Sequence, residues 1–163
     1  MKKTMIDLPE AMFVGLTVRT NNANERDPSK AKIAATVQRY HQEDMPDQIE
    51  DRIRPGVTFC VYTDYESDFA GDYTFFIGEE VEDFEYIPEG FRTLMIPPQS
   101  YTRFTTKSGP MPDVVIGAWQ NIWKMSPQEL EGARSYIADF EVYNERAADP
   151  QNTVLDIYVG VEK

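Results

Sequence analysis

The sequence contains very little cysteine and histidine, and this shortage excludes several classes of protein. One cysteine, Cys60, among 163 residues permits no internal disulfide, so nothing indicates secretion. One cysteine and one histidine, His41, cannot supply a zinc-ligand cluster, and they leave little scope for a Ser-His-Asp or Cys-His catalytic scheme. We expect no metal ion and no cofactor.

Long apolar runs are also missing. No stretch of the sequence approaches the ~18 apolar residues that a membrane span needs, and residues 1–10 have no signal-peptide core. These absences predict a cytoplasmic protein without a membrane partner.

Basic charge is scarce, with 16 Lys and Arg against 28 Asp and Glu, and the net charge is −12. Residues 64–89 contain ten acids and no base. Such a surface repels phosphate backbones, which argues against direct nucleic-acid binding. It favours cationic ligands or a basic protein partner, unless these acids only form a solvated face.

The apolar content of 41% and the length predict one globular domain over residues 1–163. Alternation and turn residues indicate strands at 12–18, 57–63, 72–77, 91–96, 101–106, 139–144 and 154–161. Apolar spacing predicts a first helix from an Asp27-Pro28 cap to about His41, and a second helix from Pro112 to about Lys124.

This order of elements repeats. Each half reads strand, helix, strand, strand, with residues 91–96 as a linking strand between the halves. A local echo supports the repeat, because residues 59–62 (Phe-Cys-Val-Tyr) and 140–143 (Phe-Glu-Val-Tyr) occupy the same place in each half. We therefore predict an α+β fold, in which two duplicated units form a largely antiparallel sheet with two long helices on one face.

Two local stretches carry a family resemblance, the first of them in two parts. Residues 86–91 (Tyr-Ile-Pro-Glu-Gly-Phe) are followed by 96–101 (Ile-Pro-Pro-Gln-Ser-Tyr) with Phe104, and then by 139–143 (Asp-Phe-Glu-Val-Tyr). Their order and spacing resemble the GyrI-like, or AraC effector-binding, family, which includes the ligand-binding domains of the regulators Rob and BmrR. The resemblance covers residues 12–161 and implies a multidrug-type, small-molecule-binding domain.

The sequence departs from the family pattern in two places. Pro55-Gly56-Val57 stands where the family has a Tyr-Gly start to a strand, and we expect no helix-turn-helix domain before the module. If the protein takes part in transcription regulation, we expect a separate chain to contact the DNA.

Glu141 is the main candidate site residue. Side chains alternate along a strand, so Glu141 and Tyr143 should share one face, and the repeat places Cys60 and Tyr62 on that face too. The apolar residues between them should then face the helices. A carboxylate flanked by tyrosines can hold a cation through charge and ring quadrupole together, and the resemblance implies that this glutamate contacts cationic, lipophilic ligands. An exposed glutamate, or one paired with Arg103, is the alternative.

Five more residues are candidates for the pocket wall: Trp119, Trp123, Tyr101, Phe75 and Met95. The two tryptophans lie four residues apart and share a helix face. Ordinary core packing is the favoured explanation for each of these residues.

Three functions therefore remain open. The first is a stand-alone module that binds or senses amphipathic, cationic small molecules. The second, which the resemblance implies, is a hydrolase of cyclopropanoid electrophiles, with Glu141 as general base and Tyr143 or Tyr62 as proton donor. The third is an acidic inhibitor of DNA gyrase that uses residues 64–89. We favour binding over catalysis.

Overall fold

The computed structural model describes residues 1–162, and nine strands of this part of the chain form one antiparallel sheet. The strands are β1 (Lys2–Leu8), β2 (Ala11–Thr20), β3 (Thr58–Thr63), β4 (Tyr73–Val81), β5 (Arg92–Ile96), β6 (Gln99–Thr105), β7 (Ala133–Arg134), β8 (Ala138–Tyr143) and β9 (Asp156–Glu162). The helices are α1 (Asn22–Glu25), α2 (Ile33–Gln42), α3 (Asp113–Trp123) and α4 (Pro127–Leu130), with short 3-10 turns at Met45–Gln48 and Glu145–Ala147. Within residues 1–162 no helix has the length and apolar character needed to cross a membrane.

The predicted duplication is confirmed by the strand order β1-β6-β9-β8-β3-β4-β2-β5. This order is symmetric about the central pair β3 and β8, so β4 corresponds to β9, β2 to β6, and β5 to β1. The edge strand of the second unit, β1, therefore comes from the start of the chain. Strand β1 was not predicted, because its apolar residues are few and it lies at the edge of the sheet, where it pairs with β6.

The repeated segments pair with each other at the centre of the sheet. Cys60 lies opposite Glu141, and Tyr62 lies opposite Asp139. The pseudo-twofold axis therefore passes through the predicted site, and it brings Tyr62 and Tyr143 to equivalent places on either side of Glu141.

The two faces of the sheet are covered differently from our expectation. Phe140 and Val142 belong to a buried cluster that contains only strand and loop residues among those described. In this cluster the Phe140 and Tyr158 rings stack at 4.5 Å, and the Phe13 and Phe59 rings lie 5.0 Å apart. The expectation that the apolar residues face the helices is wrong, because aromatic side chains of the strands fill this face themselves. Helices α2 and α3 cover the face of Glu141.

The first long helix begins later than predicted, at Ile33. Asp27 accepts hydrogen bonds from the Ser29 backbone and hydroxyl groups, which makes a turn rather than a helix start. The carboxylate of Glu25 caps α2 instead, since it accepts from the backbone N–H groups of Lys32 at 2.9 Å and Ile33 at 3.2 Å. Spacing in the sequence gives no sign of this contact. The second helix, α3, agrees with its predicted bounds within one residue at each end.

Two glycines give a matched test of the sheet. Gly15 faces Gly78 across β2 and β4, and a Cβ on Gly15 would lie 1.9 Å from the Ile77 carbonyl oxygen. We expect Gly15→Ala to lower the free energy of unfolding by about 1–3 kcal/mol, because the strands must separate.

Gly117 in α3 has no neighbour within 4 Å of such a Cβ, so Gly117→Ala should raise the free energy of unfolding by about 0.5–1 kcal/mol. Urea denaturation measures both, and a Gly15→Ala protein as stable as the original would contradict this strand packing.

Candidate functional site

A cavity of about 1250 Å³ lies between helices α2 and α3 and the central strands β3, β4 and β8. Helix α1, the loop at residues 55–57 and the segment at residues 144–148 complete its rim. Seven of the nine residues that we predicted for the site line this cavity: Cys60, Tyr62, Phe75, Trp119, Trp123, Glu141 and Tyr143.

Glu141 lies at the floor of the cavity, with 2% of its surface exposed. Its Oε2 accepts hydrogen bonds from the Tyr62 hydroxyl at 2.7 Å and from Trp119 Nε1 at 2.6 Å. Its Oε1 accepts from the Tyr143 hydroxyl at 2.6 Å. No Lys, Arg or His within residues 1–162 forms an ion pair with Glu141. Three neutral donors therefore hold this carboxylate, and no cation neutralises it.

Burial determines the acid–base properties of this group. Loss of water raises the pKa of Glu141, and the hydrogen bonds from Tyr143, Tyr62 and Trp119 offset only part of that shift. Burial, reinforced by the Glu141 charge, also raises the pKa of Tyr62 and of Tyr143 well above the usual tyrosine value. The two hydroxyls therefore stay protonated and serve as donors. A positive charge placed beside a buried carboxylate of this kind stabilises its ionised form.

A second buried acid on the same strand provides a comparison. Asp139 lies two residues before Glu141, on the same face of β8, and is fully buried. It forms an ion pair with Arg134 at 2.5 Å and accepts from the Tyr65 hydroxyl at 2.5 Å and the Gly160 N–H at 2.7 Å. Arg103, considered above as a partner for Glu141, lies 6.0 Å from the Tyr158 ring instead. Of the two acids, only Asp139 has a cationic partner.

Aromatic rings surround Glu141. The Tyr62 ring makes edge contacts with Trp119 at 5.4 Å and with Tyr73 and Phe75 at 5.6 Å. Trp123 stacks on Phe69 at 5.9 Å. Both tryptophans line the cavity. Trp119 also belongs to the core beneath α3.

Several lining residues were missed in the sequence. Tyr73 could have been found, because it lies two residues before Phe75 in β4 and so shares its face. The inner face of α2, with Ile33 and Val37, also lines the cavity, and its apolar spacing is visible in the sequence. Phe69 lies in a loop, where periodicity gives no signal.

Two predicted pocket residues do not line the cavity. Tyr101 packs against Phe140 at 5.3 Å and Tyr158 at 5.9 Å on the opposite face of the sheet. Met95 lies on the edge strand β5, and 55% of its surface is exposed. Both predictions were wrong, since an apolar strand residue can belong to either face and the register was not known.

The acidic stretch does not form one continuous surface either. Glu79 is buried and pairs with Arg52 at 3.4 Å, and Glu80 lies 3.6 Å from Arg54. The expectation of an open acidic face over residues 64–89 therefore holds only for part of that stretch.

A duplicated antiparallel sheet with two long helices on one face is the fold expected of an effector-binding domain. The sequence model of the integron-associated effector-binding proteins (Cass2) matches residues 4–161, and the chain belongs to this family. The predicted GyrI-like effector-binding fold is thereby confirmed.

Three known proteins resemble this chain in sequence or in fold. YobU of Bacillus subtilis (strain 168), a candidate transcriptional regulator, is 31% identical over 160 residues, which cover 98% of this chain and 96% of YobU. The integron cassette protein VCH_CASS2 from the mobile metagenome of Vibrio cholerae has a TM-score of 0.77 and 25% identity, over 98% of this chain and 95% of that protein. SAV2435 bound to tetraphenylphosphonium has a TM-score of 0.78 at 17% identity, over 99% of this chain and 94% of that one, and so shares the fold.

The raised pKa of Glu141 leads to a prediction about stability and pH. Because the folded protein holds this proton more tightly than the unfolded chain does, the contribution of Glu141 to stability is fully present below the ordinary pKa of 4.5. That contribution is lost as the pH rises through the raised value. Glu141→Gln keeps a neutral side chain at every pH, so its free energy of unfolding relative to the original protein should increase as the pH rises.

Urea denaturation of both proteins, at a series of pH values below the range in which tyrosine and cysteine ionise, measures this difference. The titration of groups that do not interact with Glu141 cancels from it. Two stability curves that run parallel across the whole series would contradict a raised pKa at Glu141.

Proposed function

We propose that this protein binds amphipathic small molecules that carry a positive charge, and that it acts as a sensor or sequestering protein. The observation that carries the proposal is the Glu141 carboxylate, which lies buried at the floor of an aromatic cavity without a cationic partner. A guest cation would supply the charge that Glu141 lacks.

The cavity suits such a ligand in size and chemistry. Pockets of roughly 300–1,000 Å³ hold drug-sized molecules, and this cavity of about 1250 Å³ leaves room for bulky aromatic groups. The rings of Tyr62, Tyr143 and Trp119 stand beside the carboxylate, where their quadrupoles attract a cation. Apolar walls give little directional selection, so we infer that the site accepts ligands of varied shape.

Two comparisons support this proposal. The structure of SAV2435, which has the same fold, contains tetraphenylphosphonium, a lipophilic cation. YobU is a candidate transcriptional regulator, which favours a role in sensing. We extend both properties to this chain as proposals, together with a separate DNA-binding chain as the partner of the sensor.

Hydrolysis is less well supported by the site. Three fixed side chains already donate hydrogen bonds to Glu141, two to Oε2 and one to Oε1, so few acceptor positions remain on the carboxylate to orient an attacking water molecule. Gyrase inhibition is also less well supported, because Glu79 and Glu80 of the acidic stretch are paired with arginines of the chain itself.

Tetraphenylphosphonium chloride is a direct probe. The chain has two tryptophans, Trp119 and Trp123, and both line the cavity, so a bound ligand should quench tryptophan fluorescence. Glu141→Gln should weaken binding about tenfold or more, because the ligand then loses a charge–charge contact in a desolvated site.

Glu145→Gln is the matched control, since Glu145 lies exposed at the rim of the same cavity and its substitution should change affinity less than about twofold. Triphenylphosphine oxide is a neutral molecule of similar bulk. It should bind the original protein more weakly than the cation does, and it should bind Glu141→Gln about as tightly as it binds the original protein. Equal affinity of all three proteins for the cation would reject the proposed role of Glu141. Turnover of a cyclopropane electrophile that Glu141→Gln abolishes would favour the hydrolase instead.

A further inference from the structure

We propose that Arg134 is an internal cation that fills a second carboxylate subsite of this cavity, at Asp139, and that it thereby restricts the cavity to ligands with one positive charge. The selection of singly charged ligands rests on the proposed function. The proposal that a free cation can take the place of Arg134 at Asp139 does not rest on the proposed function, and it can be tested separately.

The two acids are arranged as two neighbouring subsites. Asp139 and Glu141 are both buried on the same face of β8, and residues two apart on a strand are separated by roughly 7 Å. Arg134 lines the cavity, whereas Asp139 behind it does not. The arginine therefore stands between the cavity and the second carboxylate.

The surroundings of Arg134 have the same chemistry that we propose for a ligand at Glu141. Its guanidinium lies over the Tyr136 ring at 4.4 Å, and Nη2 contacts Asp139 Oδ2 at 2.5 Å. The Tyr65 hydroxyl donates to the same carboxylate, and the Tyr65 ring lies 5.4 Å from that of Tyr136. A carboxylate with a tyrosine donor and aromatic neighbours thus already holds a cation at Asp139, and that cation belongs to the chain.

The fit of Arg134 is incomplete, which is unusual for a purely structural ion pair. Its Nε and Nη1 atoms are buried without a hydrogen-bond partner in the described part of the chain, so Nη2 alone makes the contact. Tyr136, which stacks on the guanidinium, has a φ of 53°, a left-handed conformation that costs free energy in a residue other than glycine. An arginine held by one nitrogen, on a strained segment, leaves a subsite that a free cation can occupy once the arginine is removed.

Removal of the Arg134 side chain should open this subsite. Arg134→Ala should lose thermal stability because Asp139 is left buried and unpaired. Millimolar guanidinium chloride should then raise the melting temperature of Arg134→Ala, and it should have no such effect on the original protein. Urea, a neutral molecule of similar shape, serves as the control compound.

The double variant Arg134→Ala/Asp139→Asn is the matched control protein, because it lacks both charges. It should be more stable than Arg134→Ala and should not respond to guanidinium. If Arg134→Ala folds only when guanidinium is present, the proposal is supported. An Arg134→Ala protein that responds to guanidinium no more than the double variant does would overturn it.

Ligand charge provides the second measurement. Butylguanidine carries one positive charge, and 4-aminobutylguanidine carries two at a spacing close to that of the two acids. Arg134→Ala should prefer the dication about tenfold, whereas the original protein should show no preference. No gain in preference for the dication in Arg134→Ala would overturn the selection of singly charged ligands. Failure of tetraphenylphosphonium to bind the original protein would instead count against the proposed function and leave the guanidinium result standing.

Discussion

The burial of one carboxylate without a cation is the constraint on which the site depends. Glu141 is removed from water, and its two oxygens are held by Tyr62, Trp119 and Tyr143, which are all neutral donors. Neutral donors reduce the cost of burial without cancelling the charge, so the pKa of Glu141 stays raised. The ionised form of Glu141 is therefore unfavourable in this apolar cavity, and a proton relieves it; we propose that a guest cation does the same.

The duplicated fold explains how the chain can keep such a group. Strands β3 and β8 pair at the pseudo-twofold axis, which brings two equivalent tyrosines, Tyr62 and Tyr143, to one glutamate. The equivalent position in the other half is Cys60, an apolar residue, so the symmetric frame carries a single charge at its centre. The aromatic face behind these strands is filled by the sheet itself, and the two helices are left free to enclose the cavity.

Much of this arrangement could be predicted from the sequence, because it depends on local patterns. Alternation on the strands placed Glu141, Tyr143, Cys60 and Tyr62 on one face, and the element order gave the duplication. Long-range geometry could not be predicted. The first strand pairs with β6 across most of the chain, the Glu25 cap of α2 comes from a preceding helix, and Tyr101 packs on the opposite face. Each of these depends on register or on a turn, which periodicity does not encode.

On the proposed function, a ligand cation replaces a proton as the partner of Glu141. Calorimetric titration of tetraphenylphosphonium, in buffers with different ionisation enthalpies and at a series of pH values, measures the protons released on binding. We expect the original protein to release a fraction of a proton near the raised pKa of Glu141, and Glu141→Gln to release none. Binding without proton release at every pH, or equal release by both proteins, would contradict it.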